Sequence, residues 1–211
     1  MEYLERIFTE AISEPEVAAL SIGTRPDCLG NDVVELLSRL NRVKPVWVEL
    51  GLQTVHEETA RYIRRGYELP VYEDAVRRLK REGITVITHV ILGLPGESVE
   101  QMLETVDYLA KDNRPDGIKL QLLHVLRGTD LAKDHEAGKF RTMEMEEYFD
   151  VLFACLERLP PDMVIHRLTG DGAKKILVAP LWTGDKKRVL NSVRKEMEIR
   201  NIRQGKHWSL Y

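Results

Sequence analysis

Four short stretches of this 211-residue chain gather polar side chains and glycines where apolar runs stop. They are Gly23-Thr24-Arg25-Pro26, Gly51-Leu52-Gln53-Thr54, His89 through Gly96, and Leu122-Leu123-His124. Together they hold one arginine, one glutamine, two histidines and several turns. That set can hold a polar ligand by hydrogen bonds and one positive charge. The chain has no G-x-S-x-G elbow, no Walker lysine loop, no H-E-x-x-H and no G-x-G-x-x-G fingerprint. Each group has a duller reading beside the functional one. Arg25 can hold a ligand or merely cap a carbonyl. Gln53 at a buried strand end needs hydrogen-bond partners, and a ligand is one source of them. His89 lies in an apolar run, where a satisfied core histidine is the alternative. His56, His135 and His207 read as surface residues. The two cysteines, Cys28 and Cys155, are too few and too distant for a disulfide framework or a self-contained metal site. Cys28 beside Asp27 reads as a reactive thiol or as a small buried hydrophobe.

The elements that must position these groups centre on Ile84–Ser98, ITVITHVILGLPGES. Its apolar run predicts a strand buried on both faces, ending in Gly93-Leu94-Pro95-Gly96. Ser98 with Gln101 three residues on predicts a capping box opening the helix Val99–Lys111. Strands are predicted at Val17–Ile22, Pro45–Leu50 and Ile118–Val125, and helices at Tyr3–Ile12, Glu57–Arg65 and Val71–Glu82. A further helix carries Val33, Leu36, Leu37 and Leu40 on one face and is capped by Asn31 or Asp32. Strand and helix alternate four times, which predicts an α/β fold with a parallel sheet and helical crossovers. Beyond Val125 the rhythm changes to helices at Thr129–Ala137, Glu144–Leu159 and Lys186–Asn201. Strand-like runs at Met163–Leu168 and Ile176–Ala179 lie between them. No linker composition separates this part, so residues 129–211 read as a C-terminal α+β extension packed on a core of residues 1–128.

Composition sets the class. Hydrophobic residues make up 43% and charged residues 31% of the chain, as in a globular protein. No run approaches the roughly 20 apolar residues of a membrane helix, the N-terminus has no secretory pattern, and the scarce cysteines suit the cytoplasm. The net charge of −3 hides an asymmetry. Asp185–Tyr211 carries eight Lys/Arg against three acids, so this segment is +5 and the remainder −8. Such a tail reads as the solvated face of a terminal helix or as a phosphate-binding surface.

Taken together, TRPD at 24–27, ELGLQT at 49–54 and HVILGLPGE at 89–97 resemble the radical S-adenosylmethionine (radical SAM) enzymes. The likeness is nearest to the group related to the Elongator catalytic subunit, and more distant to the oxygen-independent coproporphyrinogen oxidase. The string HRLTGD…APLW, which starts at His166, resembles a bacterial subfamily of that group. The resemblance implies a partial (β/α) barrel, here about its last four βα units, and S-adenosylmethionine as cofactor beside a 4Fe-4S cluster. It implies Thr24 and Arg25 near the ribose and methionine portion, Gln53 hydrogen-bonded to the cofactor, and Arg65 on its carboxylate. His89 and Ile91 would contact ribose and adenine, with Gly93, Leu94 and Gly96 in the floor beneath. His124, His166, Arg167 and Asp171 stand as substrate-facing candidates, with a structural salt-bridge cluster as the equal alternative.

Two departures accompany the resemblance. Relatives often carry Glu where this chain has Gly23, and the family's three-cysteine loop is absent. The expectation is a fragment with no metal ligands of its own, catalytically inactive alone, whose exposed edge near Ala18–Ile22 invites pairing with a second copy. The resemblance and the basic tail, with Trp208 and Tyr211, imply tRNA as substrate, plausibly at a uridine, and an electron donor as partner of the full-length enzyme. The alternatives are a radical enzyme acting on a small molecule, and a module that binds a ligand or RNA without catalysis.

Overall fold

The computed structural model describes residues 1–170 and 172–208; Asp171 and Tyr211 lie outside the described residues. The chain runs α1 (Glu2–Ser13), β1 (Leu20–Thr24), α2 (Asn31–Asn41), β2 (Val46–Gln53), α3 (Glu57–Tyr62), α4 (Leu69–Arg81), β3 (Thr85–Leu92) and α5 (Val99–Lys111). It continues through β4 (Gly117–Leu122), β5 (Val125–Leu126), α6 (Asp130–Glu136), α7 (Met145–Arg158), β6 (Val164–Arg167), β7 (Leu177–Ala179) and α8 (Lys186–Ile199). Five strands form one sheet in the order β1-β2-β3-β4-β6, every pair parallel. The order never reverses, so right-handed crossovers put the helices on one face. This is an arc of a (β/α) barrel and not a doubly wound sheet, as the resemblance implied.

The strand faces follow from that arrangement. On the helix side Val46, Val48, Leu50, Leu52, Val86, Val90, Leu92, Ile118 and Leu120 are all buried. They pack against Leu36, Leu37, Tyr72, Leu79, Leu109, Leu152 and Leu156 of the covering helices. Thr88, the polar member of that face, meets the Tyr72 hydroxyl at 2.6 Å. Truncating one of the fully buried leucines, such as Leu109, removes about 2–5 kcal/mol. The opposite face carries Ser21, Trp47, Glu49, Gly51, His89, Ile91, Lys119 and Gln121, all partly or fully exposed. The expectation that Ile84–Leu92 is buried on both faces is thereby corrected. One face lies under helices, and the other is a half-open polar wall on which Ile87 alone of β3 is buried.

The predicted helices form, with α5 spanning Val99–Lys111 and its reciprocal Ser98/Gln101 capping box in place. Elsewhere boundaries move for local reasons. Gly30 is the N-cap of α2, and the Asp32 carboxylate accepts from the Val33 N–H one residue inside. The helix expected to reach Arg65 stops at Tyr62, because Arg64 and Gly66 take left-handed φ of 56° and 86°. The first strand starts at Leu20, so the open sheet edge is Leu20–Thr24 and not Ala18–Ile22. The strand expected over Ile118–Val125 divides. Val125-Leu126 leaves the main sheet and pairs antiparallel with β7. The strand-like run at Met163–Leu168 becomes β6, which joins the main sheet beside β4. Among the described residues, no helix is long and apolar enough to cross a membrane.

Candidate functional site

A cleft of about 540 Å³ opens at the C-terminal ends of β1, β2 and β3. Seven of the predicted site residues line it: Thr24, Arg25, Gln53, Arg65, His89, Ile91 and Leu94. Period-two alternation along the strands brings Glu49, Gly51, Gln53, His89 and Ile91 to one face. A register shift at the end of β2, between Gly51 and Gln53, sets Gln53 opposite Val90 with φ of 68°. Its amide oxygen is buried and has no hydrogen-bond partner among the described residues. Gly51 makes room for that amide, since a Cβ there would stand 2.5 Å from Gln53 Nε2.

Arg25 forms two hydrogen bonds with Asp27, at 2.9 and 2.7 Å, and its guanidinium lies over the Tyr67 ring with 5.7 Å to the centroid. Gly66 permits this approach, because a Cβ there would sit 2.8 Å from Arg25 Nη2. Burial pushes the Tyr67 hydroxyl up to about 12, so it stays protonated at the cleft wall.

Arg65 also borders the cleft, but its guanidinium donates to Tyr67 O, Thr54 O and Glu57 Oε1, each at 2.8 Å. Those bonds fix the β2–α3 exit. They give Arg65 a structural role in addition to its place on the cleft wall, and they do not use every N–H of its guanidinium. Gly93 and Gly96 do not line the cleft. Their φ values of 82° and 86° shape the turn, and a Cβ on Gly93 would touch Met143. Glu97, four residues after Gly93, accepts from Thr54 Oγ1 at 2.5 Å and ties this turn to β2.

A polar network that the sequence reading missed runs along the open face below the cleft. Glu49 accepts from Ser21 Oγ at 2.9 Å, from His89 Nε2 at 2.8 Å and from Lys119 Nζ. Gln121 bridges onward, with its Nε2 at 3.3 Å from His89 Nδ1 and its Oε1 accepting from Arg167 Nη1 at 3.1 Å. Burial works against ionisation of Glu49, yet Lys119, His89 and Ser21 outweigh it and hold the carboxyl down to about 2. Burial lowers the His89 pKa, which keeps the imidazole neutral against the pull of Glu49. The signal was present in the sequence. VWVELGLQ and GIKLQL alternate strictly and place Glu49, Lys119 and Gln121 on one face.

The substrate candidates gather at the far side of the wall. His166 packs edge-on to Trp47, with ring centroids 5.8 Å apart, and a Cβ on Gly117 would be 2.6 Å from its ring. His124 sits under the glycines of the HRLTGD loop, where a Cβ on Gly170 would be 2.4 Å from its ring. Arg167 reaches the network through Gln121. His56, expected at the surface, is half-buried and contacts Gln101 O at 2.9 Å, and His135 packs on Phe140. Cys28 is exposed on the short 3-10 turn Pro26–Cys28, so the buried reading of it is corrected. Cys155 is fully buried in α7 and burial pushes its thiol up to about 12. Two such thiols cannot hold an iron–sulfur cluster, and among the described residues no His/Cys/Asp/Glu group is arranged to hold a metal ion.

Comparison with known proteins agrees with this architecture. The Radical SAM superfamily model matches residues 1–109, and the Radical_SAM C-terminal domain matches residues 115–199. YtqA of Bacillus subtilis (strain 168) is 42% identical over 206 residues, covering 98% of this chain and 64% of the relative. The tRNA uridine(34) acetyltransferase of Methanocaldococcus jannaschii is 28% identical over 169 residues, covering 79% of this chain and 30% of that protein. Among solved structures, the archaeal Methanocaldococcus infernus Elp3 with an N-terminal deletion aligns with a TM-score of 0.82 and 25% identity, covering 95% of this chain and 46% of that one. The chain thus spans about three-fifths of the length of YtqA. A parallel one-sided arc, a polar cleft at its strand ends and a family match across its first 109 residues agree: the chain belongs to the Radical SAM superfamily and carries an Elongator-like part of it.

Proposed function

We propose that this chain is the S-adenosylmethionine-holding arc of a radical SAM enzyme acting on a tRNA uridine, inactive alone for want of cluster thiolates. The observation that carries the reading is the Gln53 amide oxygen, buried and unpartnered on the wall of a cleft of about 540 Å³. A buried acceptor costs free energy unless a donor reaches it, and a polar ligand in the cleft would supply one. Gln53 would accept from the ligand, with Thr24 and Arg25 on one side and His89, Ile91 and Leu94 on the other. Arg65 borders the same cleft, and Gly93 and Gly96 support its walls from behind. When bound, S-adenosylmethionine would supply a 5′-deoxyadenosyl radical, after one-electron cleavage by a cluster and an electron donor outside this chain's residues.

The chain's own residues bind and orient. Arg25 keeps a fixed positive charge at the mouth, held between Asp27 and the Tyr67 ring. Ile63, Ile91, Leu94, Leu123 and Leu131 give the cleft an apolar side for the less polar part of the ligand. On this reading residues 1–128 hold the cofactor and residues 129–211 bring the substrate side, in a cytoplasmic enzyme. The tRNA assignment is supported by the similarity to tRNA uridine(34) acetyltransferase. It is supported also by α8, where Lys187, Arg188 and Lys195 line a shallow groove with Asn191 and Ser192. The open β1 edge is proposed to pair with a second copy of the isolated chain.

Calorimetry with S-adenosylhomocysteine tests the cofactor half. Binding that Gln53→Ala weakens at least tenfold is expected; no binding by a folded wild-type chain would sink it. For tRNA, affinity should fall steeply as salt rises, and a salt-independent, negligible affinity refutes that half. Mass spectrometry of tRNA nucleosides, with and without the gene of the full-length protein, then tests the uridine.

A further inference from the structure

Arg167 stands out on the open face of the sheet. It is half-buried, its one hydrogen-bonding partner is the neutral Gln121 amide, and no carboxylate among the described residues pairs with it. A guanidinium has five N–H donors, and partly buried guanidinium groups ordinarily meet an acid. The nearest network acid, Glu49, is already taken by Lys119 and His89. With His89 neutral, this stretch of wall holds two cations, Lys119 and Arg167, against one carboxylate.

The backbone is built to present that charge. The pairing of β4 with β6 shifts register between Ile118 and Lys119, so Lys119 stands opposite Arg167 and not His166. In a regular strand His166 and Arg167 would point to opposite faces. Here His166 packs on Trp47 and Arg167 reaches Gln121, and both Trp47 and Gln121 belong to the open face. Gly117 makes the bulge possible, since a side chain there would collide with the His166 ring and with Val164 O at 3.0 Å. Bulges that re-aim a side chain are typical beside active sites. Gln121 fixes the arginine from below and also touches His89, a wall of the cofactor cleft.

We propose that Arg167 is the anion receptor of this site, taking a phosphate or carboxylate group of the substrate on the open face beside the cofactor cleft. Gln121 is its positioning residue. The inference rests on reading that cleft as the cofactor's. A single guanidinium fork suits either oxyanion by bidentate hydrogen bonding, so the probes separate the two.

The test follows the arginine Nε–Hε signals of the ¹⁵N-labelled chain during titration with sodium phosphate or sodium acetate, against sodium chloride at matched ionic strength. Arg167→Gln identifies the signal. The expected result is a saturable shift of the Arg167 signal with one oxyanion and not with chloride. Which oxyanion acts assigns phosphate or carboxylate. Gln121→Leu should weaken the response at least threefold, and Arg167→Lys, which keeps the charge, should retain anion binding as a saturable shift of neighbouring amide signals. An Arg167 signal that moves no more than that of exposed Arg61 with either oxyanion overturns the proposal. Calorimetry with S-adenosylhomocysteine is read separately: Arg167→Gln should leave that affinity within twofold. Loss of cofactor-analogue binding in the wild type would refute the cleft reading instead, whatever the Arg167 signal does.

Discussion

Replacing Glu49 with Gln should remove an acid-sensitive part of the chain's stability. In the folded chain Glu49 has a pKa near 2, against an ordinary 4.5. A lowered folded pKa contributes stability in full above about 4.5 and loses it as pH falls toward about 2. The shift corresponds to about 3 kcal/mol at roughly 1.36 kcal/mol per unit. That is a ceiling, because the side chains of Glu49, Lys119 and His89 are 18%, 12% and 23% exposed and water screens part of their attraction. Screening of this degree leaves about 1–2 kcal/mol. Urea unfolding of wild type and Glu49→Gln at pH 7, 5, 4 and 3 measures it. At neutral pH the variant should be weaker by that amount plus a pH-independent loss from Lys119, left without its acid. Between pH 5 and 3 the gap should narrow by about 1 kcal/mol or more, as Glu49 of the unfolded wild-type chain takes up its proton while that of the folded chain stays ionised. A gap that stays constant with pH would refute the assignment of the low pKa to this network.

Three further outcomes are expected. Gly51→Ala should push the Gln53 amide aside, lowering S-adenosylhomocysteine affinity about tenfold by calorimetry while the melting temperature changes little, since the clash is with a side-chain end. A maleimide probe should label one thiol in the native chain, the exposed Cys28, and a second only in denaturant, because Cys155 is buried and its thiol stays protonated. Ser98→Ala should lower stability by about 1 kcal/mol in urea unfolding, through loss of the side-chain acceptor for the Gln101 N–H.

What the sequence made legible was whatever is decided locally. The capping box at Ser98 and Gln101, the left-handed stops at Gly83 and Gly138, and the α4 start at Pro70 form from neighbours a few residues apart. Thr24, Arg25, Gln53, His89, Ile91 and Leu94 come together on one cleft because strand ends meet at one rim in a parallel sheet. The polar wall was harder. His89 alone in an apolar run looks like a core residue. Its meaning depends on Glu49, 40 residues away, and Gln121, 32 residues away. Arg65 was half legible: the resemblance implied a ligand contact, while the carbonyls that also hold its guanidinium are brought near only by the folded turn. The aim of Arg167 was illegible because a one-residue register shift sets it, and alternation along β6 by itself predicts the wrong face.

The contacts between Arg167 and Glu49 also have a direction. A guanidinium can only donate, so it takes the Gln121 oxygen and turns the amide NH₂ toward His89. His89 Nδ1 must then be the bare nitrogen, and Nε2 carries the proton to Glu49. Every donor along this line of four residues on β6, β4, β3 and β2 points the same way, from a cation at its head to a carboxylate at its tail. Such a line polarises as one unit. It behaves as a small dipole laid across the sheet, with its negative pole in the cleft and its positive pole outside. Turning over one amide would break contacts on both sides at once, so the polarity of the wall is fixed along its whole length.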